Sequence, residues 1–257
     1  VEETSGGDRF KVSGRGELHL TILIETMRRE GYELEVSRPE VILKRVNGIL
    51  LEPFEETVIE VDPEFQGAVM QAIGERKGTV KNMTRSAVGT TRLEFHVATR
   101  ALIGFRSEFL MMTHGTGILH QNFYRYQKYL GELPKRSTGV MVSMGAGKAV
   151  AYALWGLQER GEILVRPGDD LYEGMIVGVS NKGRDLVVNA TREKKLTNVR
   201  AAGSDEAIQL MPPRKMTLEF ALEHIADDEL VEITQKTIRL RKQQLTAHER
   251  KQTAKSA

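Results

Sequence analysis

Between Asn181 and Ser204 the chain reads NKGRDLVVNATREKKLTNVRAAGS, a concentration of side chains suited to holding a polyanion. Lys182, Arg184, Arg192, Lys194, Lys195 and Arg200 stand there against Asp185 and Glu193 alone. A guanidinium group grips phosphate oxygens with a fixed fork of donors, and a lysine ammonium binds them as a point charge. Asn198, with the neighbouring Thr and Ser groups, adds hydrogen bonding to phosphate or ribose oxygens. The stretch has almost no apolar periodicity, and a loop of this length inside a compact domain is uncommon and usually either functional or disordered. It reads as an RNA-contacting loop held out by a rigid scaffold. The same charges would also suit a solvated surface loop with no specific partner.

A second cationic group lies near the end of the chain. Arg239 and Arg241 fall on one face of an expected strand, because side chains alternate with a period of two, and Lys242 follows them. The group reads either as a second phosphate contact or as a solubilising surface. Net charge over the 257 residues is only +2, but it is segregated. Residues 182–200 hold six basic and two acidic side chains, residues 201–235 two and eight, and residues 236–257 seven and one. Two basic patches separated by an acidic one suit a module that touches a polyanion at chosen points.

Other candidate chemistry is weaker. Gly145-Ala146-Gly147-Lys148-Ala149 has the look of a phosphate-binding loop, but Val142 stands where the first glycine belongs and Ala149 where a Ser or Thr would hold magnesium. Gly14-Arg15-Gly16 has His19 where a dinucleotide fingerprint needs its third glycine, so it reads as a turn between strand and helix. None of the six histidines has metal-ligand spacing, and no nucleophile elbow is present. Asp227-Asp228-Glu229 points its carboxylates in different directions, as a turn between helix and strand would. The sequence therefore offers no catalytic residue, no cofactor-binding residue and no metal ligand, and it has no apolar run long enough to span a membrane. Cysteine is absent, which excludes disulfides and thiolate sites.

The elements that must position these residues follow from apolar periodicity. Residues 48–128 read as β-α-β-β-α-β, the ferredoxin-like arrangement, with Leu93, Phe95 and Val97 on the inner face of one strand and Phe65, Val69, Ala72 and Ile73 on one face of a helix. Residues 1–47 read as strand, turn, helix and strand, with Leu20, Leu23, Ile24 and Met27 on the helix face. This is the second half of such a unit, so it is expected either to remain incomplete or to be completed by another chain. Residues 131–136 read as a linker, and the chain opens on Val1 as a fragment or processed product would. Residues 129–257 read as a mostly-β domain, with a small barrel as one arrangement, and with short strands at 140–143, 149–153, 163–165, 175–179, 186–188, 230–234 and 236–240. One helix carries Leu218, Ala221, Leu222 and Ile225, and a basic tail follows from residue 241. The expected class is α+β: half a ferredoxin-like unit, a complete one, and a mostly-β domain presenting the loop at 181–204.

The residues also carry a resemblance. FKVSGRGELHLTILIETMRREGYELEVSRPEV resembles the second half of domain III of translational GTPases of the elongation factor G group. EPFEETVIEVDPEFQGAVMQAIGERKGTV and ALIGFRSEFLMMTHGTG resemble domain V of that group. With KKLTNVRAAG and the long tail, the wording is similar to the BipA/TypA family of ribosome-associated GTPases. The resemblance implies a cytoplasmic parent that binds the 70S ribosome and the 50S subunit and acts in large-subunit assembly and stress adaptation. It implies partners among rRNA, ribosomal proteins and A-site tRNA, whose acceptor end would be met by the loop matching Lys182 to Arg200. GTP and magnesium would belong to a GTPase domain outside this sequence, so these residues are expected to bind and not to catalyse. The alternative is a protein-interaction module that binds ribosomal proteins without touching RNA.

Overall fold

The computed structural model describes residues 1–4, 9–86, 89–133, 136, 138–193 and 209–256, with only the backbone described at 254 and 256. The chain divides into two compact units, Pro39–Lys135 and a second that joins Val1–Arg38 to Arg136–Ala257.

Pro39–Lys135 is ferredoxin-like. Its main strands are Ile49–Val61, Thr79–Arg85, Thr91–Ala98 and Ile118–Lys128, with Ile49–Val61 and Thr91–Ala98 in the centre and Ile118–Lys128 and Thr79–Arg85 at the edges. All pairings are antiparallel. The alternation expected for Thr91–Ala98 holds: Leu93, Phe95 and Val97 are buried with Ile59, Val61 and Phe54. Helix Gln66–Glu75 adds Val69, Ala72 and Ile73 to that core, and Phe105–Met112 adds Phe105 and Phe109. Each large apolar side chain fully removed from water stabilises the unit by about 1.5–3 kcal/mol. A short helix, Thr99–Leu102, precedes Phe105–Met112, with Gly104 between them at φ 75°, a conformation that favours glycine.

The stretch expected as a linker at 131–136 is largely built into this unit. Glu52, fully buried, is paired with Arg100, and its Oε1 accepts the backbone N–H of Leu130 at 2.7 Å. Arg100 also donates to the Gly131 carbonyl at 2.5 Å, Lys77 donates to the Glu132 carbonyl at 2.7 Å, and Leu130 and Leu133 pack on the core. A buried carboxylate needs such partners, and meeting them holds the chain to the unit beyond the last strand.

The second unit corrects the expectation for residues 1–47: residues 1–38 join the C-terminal unit, whereas 39–47 belong to Pro39–Lys135, where Lys44–Val46 pairs with Ile49–Val61. Strand Leu34–Ser37 pairs antiparallel with Glu229–Ile233, in the register Leu34↔Ile233 to Ser37↔Leu230, and so becomes an edge of the C-terminal sheet. The physical reason is that an unpaired strand edge and an apolar helix face both need covering. Helix Glu17–Arg29 buries Ile24 among Leu218, Leu222, Ile225 and Val231. Its buried stripe is turned from the expected one, with Thr21 and Ile24 inside and Leu23 38% exposed. Arg28 closes the contact by donating to the Thr234 carbonyl at 2.9 Å.

The sheet runs in the order Leu186–Val188, Val140–Ser143, Met175–Ser180, Ile238–Lys242, Glu229–Ile233, Leu34–Ser37, with Gly161–Ile163 also pairing Met175–Ser180. Among the described residues this path is open and does not close into a barrel. Leu186–Val188 lies parallel to Val140–Ser143; the other pairings are antiparallel. The central strands are apolar on both sides, as strands covered on two faces must be. Val140, Val142 and Ile176 face one core with helices Glu17–Arg29 and Leu218–His224, while Met141, Met175 and Val177 face another with helix Ala151–Gln158. That helix replaces the strand expected at 149–153: in a short apolar run, alternation and helical spacing look alike, and Leu154 and Leu157 are buried at i, i+3. The tail is strand through Lys242 and then helix Ala247–Ser256.

Candidate nucleic-acid interface

The cationic segment leaves the sheet at Ser180 and is held by four hydrogen bonds, two of them between backbone groups. Gly139 donates its N–H to the Lys182 carbonyl at 2.7 Å, and Ser180 donates to the Gly139 carbonyl at 2.9 Å. The approach is close enough that a Cβ on Gly139 would collide with the carbonyl group of Arg184, so only glycine fits. The Ser180 hydroxyl accepts the Lys182 N–H at 3.1 Å. The Asp185 carboxylate then caps the start of the neighbouring strand, accepting the Val140 N–H at 2.9 Å. The segment is thus no uninterrupted loop. It runs through strand Leu186–Val188, buries Ala190 completely, and turns at Asn189, whose side-chain oxygen accepts the Thr191 N–H at 3.0 Å. After the undescribed stretch the chain is gripped again by Gln158, which donates to the Gln209 carbonyl at 3.1 Å and accepts the Met211 N–H at 3.2 Å.

Lys182, Arg184 and Arg192 are exposed, and none of them has a carboxylate partner among the described residues. Their cationic heads are open to solvent, while the backbone beneath Lys182 and Arg184 is fixed. Lys194, Lys195, Asn198 and Arg200 lie outside the described residues.

The terminal cationic group is different. Arg239 and Arg241 do share a strand face, opposite Glu232 and Leu230 respectively. Arg241, however, is engaged by Glu35 of the edge strand, with Nε 3.0 Å and Nη2 2.5 Å from Oε1, and its side chain is 15% exposed. Arg239 is half-buried across from Glu232, which also accepts the Tyr172 hydroxyl.

Lys242 must be corrected outright as a phosphate contact. It points to the other face, is 2% exposed, and its Nζ lies 2.6 Å from Asp185 Oδ2, 2.8 Å from Asp228 Oδ2 and 2.9 Å from Glu229 Oε1. Burial pushes the ammonium pKa down, but Glu229, Asp185 and Asp228 together outweigh it and hold the group above the ordinary lysine value. Glu229, fully buried, is likewise pushed up by burial and pulled down further by Arg136, Lys242 and the Ala226 N–H, so it stays ionised below the usual carboxylate range. Arg136 meets Glu229 through both terminal nitrogens, at 3.0 and 2.9 Å, and donates to the His224 carbonyl at 2.7 Å.

The acidic triplet Asp227-Asp228-Glu229 thus has internal partners, with Asp227 taken by Arg38 at 3.0 Å. Among the described residues no group of three or more His, Asp or Glu side chains could hold a metal ion. The glycine stretch before Lys148 forms a two-residue strand against Asp170–Leu171, with Lys148 Nζ 3.1 Å from Asp170 Oδ1. No described helix is long and apolar enough to cross a membrane. What sequence reasoning missed is the role of Gly139, Asp185 and Lys242 beneath the cationic segment. Its one signal was an aspartate placed among arginines and lysines.

Two family models match the chain. Residues 138–247 match the TypA/BipA C-terminal domain, and residues 49–137 match the elongation factor G C-terminus. The chain is similar to the "large ribosomal subunit assembly factor BipA" of Escherichia coli (strain K12), with 54% identity over 98% of this chain and 42% of the relative. Proteins of the same name from Haemophilus influenzae and from Buchnera aphidicola subsp. Schizaphis graminum are 51% and 53% identical over 98% of this chain and 41% of theirs. The chain spans about two fifths of the length of these curated relatives.

Proposed function

We propose that this chain, which carries the C-terminal domains of the TypA/BipA family behind an elongation factor G C-terminus, is the ribosome-binding part of a translational GTPase and meets RNA through the cationic segment that starts at Asn181. One observation supports this reading above the others. Lys182, Arg184 and Arg192 are exposed and without a described carboxylate partner, whereas Arg241 and Lys242 are paired inside the fold. Cations left open on a fixed backbone are what a phosphate-reading surface requires.

In this proposal the substrate class is RNA of the large subunit and the acceptor end of A-site tRNA. Lys194, Lys195, Asn198 and Arg200 extend the contact, and ribosomal proteins supply neighbouring surface. The chain binds and positions. GTP hydrolysis, with its magnesium, would be the work of the longer protein, whose place of action is the cytoplasm and whose part in subunit assembly would extend to stress adaptation. The relatives' name, an assembly factor of the large subunit, supports the ribosome as partner.

The test is co-sedimentation of the chain with purified 50S and 70S particles across a salt series. Binding that weakens steeply with salt is expected, because each phosphate contact releases counterions. Salt-insensitive binding would overturn the RNA reading and favour contact with ribosomal proteins alone.

A further inference from the structure

We propose that Lys242 is a positioning residue for the cationic segment, acting through Asp185; the inference rests on the reading of that segment as the ribosome contact. Asp185 is the one member of the buried charge group that belongs to the segment. Its two oxygens have separate tasks. Oδ1 accepts the Val140 N–H at 2.9 Å, which ties the segment to the start of a central strand. Oδ2 faces the Lys242 ammonium at 2.6 Å, which ties it to the last residue of strand Ile238–Lys242. Asp185 directly follows Arg184, whose carbonyl abuts Gly139, and Gly139 holds the Lys182 carbonyl. The positions of the Lys182 and Arg184 backbones therefore depend on where Asp185 is anchored.

The choice of an ion pair here is informative. Lys242 is buried while the Asp185 side chain is 41% exposed, so the pair adds modest net stability, and the best-attested use of such a charge contact is to specify one arrangement over others. Met or Leu at position 242 would fill the space, but neither would hold Asp185. Leu186 and Val188 pack on the core and keep the register of the strand itself, so what the hold fixes is the turn before it. The Lys242 ammonium holds that turn in the one arrangement that leaves Lys182 and Arg184 exposed. Asp228 and Glu229, at 2.8 and 2.9 Å, fix the ammonium itself, and Arg136 balances Glu229.

The test uses the whole chain and two substitutions, Asp185→Ala and Lys242→Met. The Asp185 side chain is 41% exposed, so its removal leaves the core intact even if Lys242→Met unfolds the unit. Two readouts are taken: tryptic cleavage after Lys182 and Arg184, mapped by peptide, and affinity for purified 50S particles at fixed salt. Asp185→Ala is expected to raise cleavage at those two bonds about tenfold and to lower 50S affinity about five- to tenfold. Asp185→Asn, which keeps an acceptor for Val140 but loses the charge, should fall between. Wild-type cleavage rates in Asp185→Ala would overturn the proposal. So would faster cleavage with 50S affinity unchanged, because the hold would then be structural only. If the unsubstituted chain does not bind 50S particles, the failure falls on the ribosome reading, and cleavage still decides whether Asp185 fixes the turn.

Discussion

The Lys242 ammonium lies 2.6 Å from the Asp185 carboxylate, so a buried cation of the C-terminal unit is turned toward the base of the cationic segment whose described cations are exposed. The charges of the unit thus sort into two classes. Arg241 and Lys242 on strand Ile238–Lys242 hold the fold together, and the cations between Asn181 and Arg192 face solvent.

Glu229 should be the costliest single charge to remove. It is fully buried and meets both Arg136 and Lys242, so Glu229→Gln takes the carboxylate from Arg136 and one of three from Lys242. Breaking a buried pair from one side costs about 3–5 kcal/mol. Urea unfolding followed by circular dichroism should show a clear fall in midpoint, and a loss below about 1 kcal/mol would contradict the network.

His224 should make stability depend on pH in a definable window. Burial, and then the nearby Arg136, lower its pKa from 6.5 to about 4; Arg214 acts in the same direction and Glu229 against it. Its Nε2 is buried without a hydrogen-bond partner among the described residues, beside the Phe220 ring. The fold therefore favours the neutral imidazole, and unfolding takes up a proton. That contribution is fully present above pH 6.5 and is lost as pH falls toward about 4, on the order of 2–3 kcal/mol in all. Glu229, held below the usual carboxylate range, loses its own contribution only under about pH 4.5. Between pH 6.5 and 5, His224→Gln should flatten the stability profile; an unchanged slope would show that another group titrates there.

Ile24 tests where the first residues belong. It is buried among side chains of the C-terminal unit, so Ile24→Ala should cost about 2–4 kcal/mol there. Hydrogen exchange should quicken in Leu34–Ser37 and Glu229–Ile233 and stay unchanged in Ile49–Val61. Faster exchange in Ile49–Val61 instead would place residues 1–38 with the wrong unit.

Arg241 should prove a structural residue. Arg241→Gln removes the contact to Glu35 and should weaken the edge pairing by about 1 kcal/mol while leaving 50S affinity within about twofold. A tenfold loss of affinity would restore it as an RNA contact.

The ferredoxin-like unit was legible because its strands have one covered face, so Leu93, Phe95 and Val97 alternate with polar residues and Val69, Ala72 and Ile73 mark a helix stripe. The C-terminal sheet was harder to read because both of its faces are covered. Val140, Met141 and Val142 are all buried and show no alternation, and the apolar run at 149–153 could be strand or helix. The destination of residues 1–38 was not legible at all. The pairing of Leu34–Ser37 with Glu229–Ile233 joins positions about two hundred residues apart, and no local pattern encodes it. At the site, the excess of cations could be read from composition, since only Asp185 and Glu193 stand among six basic side chains. Lys242 was misread because its three carboxylates come from Asp185 and from the Asp228-Glu229 turn, which only the folded sheet brings together.

The most direct test of the central claim is the salt dependence of 50S binding for the chain carrying Lys182→Glu, Arg184→Glu and Arg192→Glu together. Each phosphate contact contributes about 0.7–0.9 to the slope of log affinity against log salt, so three lost contacts should flatten the slope by about 2 and weaken binding at low salt. A slope and an affinity equal to those of the unsubstituted chain would contradict the account.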